Sequence, residues 1–342
     1  GLEPKLGTTH LFKTQTEGAL GLELDTLLQR WGKLEHIHIE WQEEGEVLVE
    51  SIYLSIDPAM RVWMDENPGY VPSIGIGEVM RAGGIGRVVE SRIAGIKEGD
   101  YVQARLGWQS HPTLSSQGTH KLDLSLGSVE DWIGPLGTTG LTAWFGIRAV
   151  GALSGADSVL VSGAAGAVGQ MAAQFAKLEG CHVVGIAGGP EKCAYLTGEL
   201  GLDDAIDYRA VDDISVAVSA AMPEGVDLYF DNVGGPTLDA ALENLRPLGR
   251  VALCGRISQT AASERYGIKN TGLLIGKRGR MQGFIVSDYN DRYDEARQWI
   301  SGKLKTGELK QRLHVLDGLA SAPEGLSMLF RSQNTGKLVV KV

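Results

Sequence analysis

The strongest constraint in this sequence is a glycine turn placed between two contrasting runs. Ser158-Val-Leu-Val-Ser162 is short, uncharged and β-branched, and reads as a buried strand. Beyond it, Val168, Met171, Ala172 and Phe175 recur at i, i+3, i+4 and i+7, the apolar face of a helix over 167–178. Between them stands Gly163-Ala-Ala-Gly166-Ala-Val-Gly169. Set against the dinucleotide fingerprint, Ala164 takes the place of the first glycine, while Gly166 and Gly169 keep the second and third. A chain that turns this sharply from strand to helix lets a pyrophosphate lie against the helix N-terminus with no side chain in the way. Strand before, helix after and a further strand beyond are the context that gives such a motif meaning. The other reading is a glycine turn that only packs.

The same grammar runs on. His182-Val-Val-Gly-Ile-Ala187 reads as the next strand, 191–200 as a helix ended by Gly201, 226–230 as a strand and 237–245 as a helix. Strands follow at 249–254 and 281–286. Short apolar strands separated by helices imply a parallel sheet covered on both faces. This predicts a doubly wound α/β domain at 132–295, entered through helical sequence at 136–150. Before it, 1–131 carries short strands at 46–53, 86–90 and 100–103 between turn signals, the pattern of a small barrel-like β domain. Asp57-Pro58 there predicts an Asp N-cap opening a helix at 59–64. The segment 296–342, ending in a strand at 337–342, is expected to rejoin the first domain.

The end of the second strand indicates which nucleotide is taken. An NAD site places an Asp or Glu there for the ribose 2′-hydroxyl. This chain has Ala187-Gly188-Gly189-Pro190, and no carboxylate before Glu191. Small residues leave room for a 2′-phosphate, and Lys192 can pair with it. NADP(H) is therefore expected, although a helix-start lysine also occurs on any surface.

Charge excludes other classes. There are 32 Lys and Arg against 42 Asp and Glu, a net −10 over 342 residues. Nucleic acid and anionic membranes reward clustered basic residues, so neither is expected as a partner. Gly1-Leu2-Glu3-Pro4-Lys5 shows no signal-peptide pattern, and the uncharged stretch 158–176 is too rich in Gly and Ala to anchor in a bilayer. Cys181, Cys193 and Cys254 are few and odd in number, which suits a reducing cytoplasm. All three fall after Ser158, and there is no C-x-x-C, so the β domain lacks the cysteine ligands of a zinc-dependent alcohol dehydrogenase. His36 and His38 share one face of a strand; without a third ligand they read as an ordinary strand face. Without a metal electrophile, hydride transfer to a polarised C=C–C=O system is the simpler chemistry, because one hydroxyl donor and the cofactor ribose can hold the enolate oxygen.

These motifs carry a resemblance. Tyr53-Leu-Ser-Ile-Asp-Pro-Ala-Met-Arg61, Gly77-Glu-Val-Met-Arg-Ala-Gly-Gly-Ile-Gly86 and Leu136-Gly-Thr-Thr-Gly-Leu-Thr-Ala-Trp-Phe-Gly146 precede the glycine turn. Phe230-Asp-Asn-Val-Gly-Gly235, Cys254-Gly-Arg-Ile-Ser-Gln259, Gly283-Phe-Ile-Val286 and Asn334-Thr-Gly-Lys337 follow it. In this order they resemble the zinc-independent medium-chain dehydrogenase/reductases, most of all the group of prostaglandin reductases, alkenal double-bond reductases and NADP-dependent curcumin reductases.

The resemblance implies a GroES-like β-barrel domain with an inserted Rossmann domain, and an active site in the cleft between them. It implies Gly166, Ala167, Val168 and Gly169 on the pyrophosphate, and Lys192 and Tyr208 at the 2′-phosphate. Thr142, Asn232, Cys254, Gly255, Ile257, Ser258, Phe284, Ile285, Val286 and Asn334 would line the remaining cofactor. Tyr53 becomes the hydroxyl near the substrate carbonyl, with a packed strand tyrosine as the alternative. A homodimer joined at the strand near 281–286 is also implied. Two positions depart from the group: Thr260 stands where a tyrosine is common, and Ala59 where an aromatic is usual. Both reshape the pocket, and Tyr266 is a candidate replacement donor. Trp63 and Trp108 read as core rather than as a substrate wall. The expected activity is NADPH-dependent reduction of an α,β-unsaturated ketone or aldehyde. A quinone reductase of the same fold and a catalytically silent NADP-binding protein remain as alternatives.

Overall fold

The computed structural model describes residues 8–12, 34–38, 44–69, 71–260, 262, 264 and 266–342. The N-terminal pentapeptide read above lies outside them. Among the described residues, two compact units form. One holds the chain up to Ile133 together with His314–Gln333 and Leu338–Val342; the other holds Gly134–Leu313 and Asn334–Lys337.

The first unit begins with strands β1 (Thr8–Phe12) and β2 (Leu34–His38), an antiparallel pair. Its principal sheet uses β3 (Glu46–Ser55), β4 (Gly83–Ser91), β5 (Tyr101–Arg105), β6 (Thr113–Ser115) and β7 (His120–Lys121). Helix α1 (Ala59–Trp63) follows β3, and α2 (Val129–Ile133) ends the N-terminal part. The start of α1 lies one residue later than the predicted Asp57 cap. Pro58 occupies the cap position with helical dihedrals, and the Asp57 carboxylate accepts from Ser55 Oγ. Two strands from the end of the chain complete this sheet, in the order β14-β15-β3-β4-β5-β7 with β6 also on β3: β14 (Leu313–Asp317) and β15 (Lys337–Lys341). β3 lies between β15 and β4 in this sheet and is buried over most of its length rather than alternating. Val47, Val49, Leu54, Met60, Trp108 and Val340 meet in its core.

The second unit opens with α3 (Thr138–Phe145), which continues into a wider π turn at Gly146–Val150. Then β8 (Ser158–Ser162), α4 (Ala167–Leu178), β9 (His182–Ala187), α5 (Pro190–Ala194), β10 (Asp204–Asp207) and α6 (Ile214–Ala221) alternate. The Asp213 carboxylate caps α6 by accepting from Ser215 N and Val216 N at 2.7 and 3.2 Å. β11 (Val226–Asp231), α7 (Gly235–Asn244), β12 (Leu245–Leu253), α8 (Ile257–Thr260), α9 (Leu273–Lys277) and β13 (Arg280–Gly283) complete the sheet. Its order is β10-β9-β8-β11-β12-β13, all parallel, with Leu160, Val184, Tyr229 and Leu242 in its core.

Among the boundaries that differ from the reading above, two bear on the end of the second unit. The strand expected at 281–286 spans Arg280–Gly283, because the chain enters a 3-10 segment from Val286. The second unit also runs past 295 to Leu313, since α10 (Tyr293–Lys305) buries Ala296 and Ile300 and packs on α3. After β14, α11 (Ala322–Phe330) packs Ala322 and Leu326 into the first unit's core. The fold is α/β in two units, one sheet antiparallel in its main pairs and one parallel and doubly wound.

Candidate functional site

In the second unit the sheet changes direction of growth between β8 and β11, and the carboxyl ends of those two strands are where such sheets bind ligands. β8 ends at Ser162 and hands over to the glycine turn. Gly163 has φ +57, and its carbonyl accepts from Gly166 N at 2.9 Å, closing the turn. Gly166 is extended and starts α4, whose first helical bond runs from Gln170 N to Gly166 O at 3.0 Å. The N–H groups of Ala167, Val168 and Gly169 precede that bond, the arrangement that favours an anion at a helix N-terminus. A Cβ on Gly169 would lie 2.2 Å from Gly163 O and 2.8 Å from Ala164 Cα, so only glycine lets helix and strand close to this distance.

A distant piece of chain is laid on the turn. Gly336 N donates to Ala165 O at 2.7 Å and Gly336 pairs with Gly166 in a parallel bridge. Asn334 Nδ2 donates to Gly336 O at 3.0 Å, stiffening this segment from within. Beneath it, two glutamines one turn apart on α4 treat the backbone of 310–312 as if it were a neighbouring strand. Gln170 Oε1 accepts from Arg312 N at 3.1 Å and its Nε2 donates to Arg312 O at 3.3 Å. Gln174 does the same with Lys310, at 2.8 Å both ways. The Tyr195 hydroxyl also donates to Gln170, at 2.6 Å.

On the other side of the crevice, Asp231 ends β11 fully buried. Its Oδ1 accepts from Ser162 Oγ (3.1 Å), Tyr229 OH (2.7 Å), Val233 N (2.9 Å) and Gly234 N (2.9 Å). Burial pushes its carboxyl above the usual range, and these donors oppose that. Asn232 reaches across with Nδ2 to Ser162 O at 2.8 Å. The Asp231 carbonyl accepts from both Cys254 N and Gly255 N at 2.9 Å; Ile257 N bonds to Asn232 O, and Ser258 Oγ to Val233 O. Asn232, Cys254, Gly255, Ile257 and Ser258 are thus drawn together around one turn. Burial, then Asp231, pushes the Cys254 thiol up to about 12, so it is no thiolate nucleophile. Phe284 sets its ring edgewise on Phe230 at 6.5 Å, with Gly146 of the π turn against both rings. Ile285 and Val286 continue from it outside the sheet, and Thr142 Oγ1 is bonded back to Thr138 O at 2.7 Å.

The end of β9 carries the cations. The Tyr208 ring lies against Gly188, where a Cβ would come within 2.7 Å of it. Arg209, missed in the sequence reading, holds its guanidinium 5.7 Å from the Tyr208 ring centroid. Burial first, and then the charge of Arg209, holds the Lys192 ammonium below the usual lysine range. The carboxylate nearby, Asp207, faces the backbone, accepting from Gly189 N (2.8 Å) and Arg209 N (3.0 Å). The signal for Arg209 was its position, a cation at the end of the third strand beside Tyr208. This group of side chains suits a phosphate and leaves no carboxylate presented to a 2′-hydroxyl.

Tyr53 lies in the first unit on β3, opposite Ile85 of β4 and Lys341 of β15. It is buried, and its hydroxyl donates to Glu130 Oε1 of α2 at 3.1 Å. Tyr266, the candidate replacement donor, is committed elsewhere: its hydroxyl donates to Asp239 at 2.7 Å, tying down a loop whose Lys269 and Asn270 N–H groups bond to the same carboxylate. Thr260 bonds to its own helix at Arg256 O. Trp108 is wholly buried in the core and Trp63 packs on its edge. His36 and His38 lie on β2 in register with His10 and Thr8. Among the described residues no group of three or more His, Cys, Asp or Glu is placed to hold a metal, and no helix is long and apolar enough to cross a membrane.

Residues 29–122 match the family described as the N-terminal domain of oxidoreductase, and residues 167–302 the zinc-binding dehydrogenase family. A 2-alkenal reductase (NADP(+)-dependent) of Nicotiana tabacum is 40% identical, covering 87% of this chain and 88% of its own. The NADPH-dependent curcumin reductase of Escherichia coli is 37% identical over 91% of each. The crystal structure of CurA in complex with NADPH from Vibrio vulnificus superposes with a TM-score of 0.90 at 34% identity, over 97% of this chain and 99% of that one. Fold and turn define a two-domain α/β oxidoreductase of the Rossmann kind. The chain belongs to the medium-chain dehydrogenase/reductases, among the NADP-dependent oxidoreductases that include alkenal, curcumin and prostaglandin reductases.

Proposed function

We propose that this protein is an NADPH-dependent reductase of the C=C bond of α,β-unsaturated ketones or aldehydes. The observation that carries the reading is its likeness, over most of its length, to alkenal and curcumin reductases. NADP(H) is the cofactor; when bound it supplies a hydride to the substrate β-carbon. The N–H groups of Ala167, Val168 and Gly169 would take the pyrophosphate, and Lys192 and Tyr208 the 2′-phosphate. Thr142, Gly166, Asn232, Cys254, Gly255, Ile257, Ser258, Phe284, Ile285, Val286 and Asn334 would line the rest. Tyr53 would donate to the oxygen of the developing enolate, with no metal in that role, and the α-carbon would take its proton from water.

The protein acts as a homodimer in this reading. Leu248, Ile275 and Ile285 are exposed beside β13, the edge strand of the parallel sheet, and an edge strand with apolar neighbours is suited to pairing. The few, odd cysteines support a reducing compartment, the cytoplasm.

The test is steady-state oxidation of NADPH with 3-nonen-2-one, an enal and a quinone, NADH being run in parallel. Faster turnover of the enone or enal with NADPH is expected. Preference for the quinone would make it a quinone reductase, and NADPH binding without turnover of any of them would make it a silent binding protein.

A further inference from the structure

Gln170 stands on the first turn of α4, directly behind the glycine turn, and is almost wholly buried. Its side chain serves a partner outside its own helix. The Arg312 backbone offers one donor and one acceptor, and these settle which end of the amide faces which. Oε1 accepts from Arg312 N at 3.1 Å, and Nε2 donates to Arg312 O at 3.3 Å. Oε1 also takes the Tyr195 hydroxyl, at 2.6 Å. Burial pushes that hydroxyl up to about 12, so it stays a donor through neutral pH. The Arg312 side chain follows the same wall, its guanidinium 4.0 Å from the Tyr195 ring centroid and paired with Glu199.

Arg312 is in turn the seat of the segment laid on the glycine turn. Besides Gln170, its carbonyl accepts from Lys337 N at 2.9 Å. Gly336 lies so close over that carbonyl that a Cβ would come within 2.0 Å of the oxygen. Gly336 is bonded to Ala165 O and bridged to Gly166, and Gly166 O accepts from Gln170 N at 3.0 Å. The bonds therefore close a ring: Gly166, Gln170, Arg312, Lys337, Gly336 and back to Gly166. Asn334 is tied to this ring through Gly336 O. The short piece Asn334–Lys337 belongs to the nucleotide unit, although the chain on both sides of it belongs to the other. A piece this short keeps its place by individual hydrogen bonds.

We infer that Gln170 is a positioning residue of the cofactor site: through the Arg312 backbone it holds Gly336 on the glycine turn, and so fixes where Asn334 meets NADP(H). The inference rests on the reading of Gly166–Gly169 and Asn334 as cofactor-binding residues. With its amide committed to Arg312 and Tyr195, Gln170 acts on the nucleotide only through this backbone. Gln174 supplies the internal control. It makes the same pair of bonds with Lys310, at 2.8 Å both ways, and Lys310 stands outside the ring.

The experiment compares the wild type with Gln170→Met, Gln174→Met, Asn334→Ala and the Gln170→Met/Asn334→Ala double variant. Each is followed by NADPH titration, by thermal melting, and by amide hydrogen exchange without nucleotide. Methionine is close to glutamine in length and makes none of these bonds. Both methionine variants should melt lower, since each loses a buried pair of hydrogen bonds. Only Gln170→Met should speed exchange over 334–337, by about tenfold, and weaken NADPH by about tenfold, the effect of one such bond. Gln174→Met should keep its NADPH affinity within about twofold, and the double variant should bind within about twofold of its weaker parent, because both substitutions remove one contact. Equal NADPH losses in the two methionine variants overturn the inference, as do losses that multiply in the double variant. Wild-type exchange over 334–337 in Gln170→Met also overturns it. If Gln170→Met does not fold, Gln170→Glu takes its place: it keeps the acceptor for Arg312 N, sets its other oxygen against the Arg312 carbonyl, and should show the same pattern. Asn334→Ala binding NADPH like the wild type removes Asn334 from the cofactor site; exchange over 334–337 separates that failure from a failure of Gln170.

Discussion

Ser162 Oγ donates to the Asp231 carboxylate at 3.1 Å, joining the carboxyl ends of the two strands between which the parallel sheet reverses its order. The bond belongs to a network with Tyr229 and the Val233 and Gly234 amides, all on Oδ1, while Oδ2 is buried with no hydrogen-bond partner. A carboxylate so placed is costly when ionised, because burial takes its charge out of water.

That cost makes Asp231 a pH-dependent element of stability. Its folded-state pKa is raised above that of an unfolded Asp, about 3.9. Such a group contributes stability that is fully present below the unfolded value and lost as pH rises through the folded value. Asp231→Asn keeps an Oδ1 acceptor and cannot ionise. Its unfolding free energy relative to wild type should therefore improve as pH is raised above about 4, and level off once Asp231 has titrated in the fold. Urea unfolding across that range measures it; a constant difference would mean that Asp231 does not titrate differently in the fold.

The two glycines of the turn should fail in different ways. In Gly169→Ala the new Cβ meets backbone, 2.2 Å from Gly163 O, and neither helix nor strand can yield without breaking its packing. A loss of about 3 kcal/mol or more is expected. Gly166→Ala meets only Gly163 O at 3.1 Å, so the fold should tolerate it while the methyl obstructs the pyrophosphate. Thermal melting with and without NADPH separates them: a low melting point for the first, a near-normal melting point with weakened cofactor stabilisation for the second.

Burial first, and then the charge of Arg209, disfavours the charged form of Lys192. An anion between them would favour that form. Lys192→Ala should weaken NADPH about tenfold to a hundredfold, the loss of one or two charged hydrogen bonds, and leave NADH little changed. Titration of both nucleotides by fluorescence gives the ratio directly. Equal losses for the two would place Lys192 away from the 2′-phosphate.

Ile275 is 83% exposed and Leu248 64%, the latter at φ +64, a conformation that costs a non-glycine residue energy. Both lie beside edge strand β13. If they form a dimer surface, the wild type sediments at twice the chain mass, and Ile275→Asp shifts it towards the monomer. A wild type that sediments as a monomer at micromolar concentration removes the dimer.

Legibility in the sequence followed range along the chain. The strand at 158–162, the turn at 163–169 and the helix behind them act through neighbours a few residues apart, so their spacing and composition announced them. Lys192 could be read from its place just past the second strand, whose position the pattern gave; Tyr208 came from the family resemblance alone, because the strand before it, β10, has too little apolar pattern to announce itself. The start of α1 was read one residue early, since Pro58, whose ring already fixes a helical φ, holds the cap position. Tyr266 misled: a hydroxyl in a polar loop looks available until Asp239 is brought to it.

What the sequence by itself determined was the class: an α/β chain with a nucleotide turn, no carboxylate between Ala187 and Pro190, and cysteines that all fall after Ser158. Only the tertiary structure decided which side chains act together. Tyr53 and Glu130 are 77 residues apart, Ser162 and Asp231 69, Gln170 and Arg312 142. Hydrogen bonds reach about 3 Å in space and carry no period along the chain. Periodicity can therefore reveal which elements form, while the partners that tune a hydroxyl or a buried acid emerge only when the sheets have brought them together.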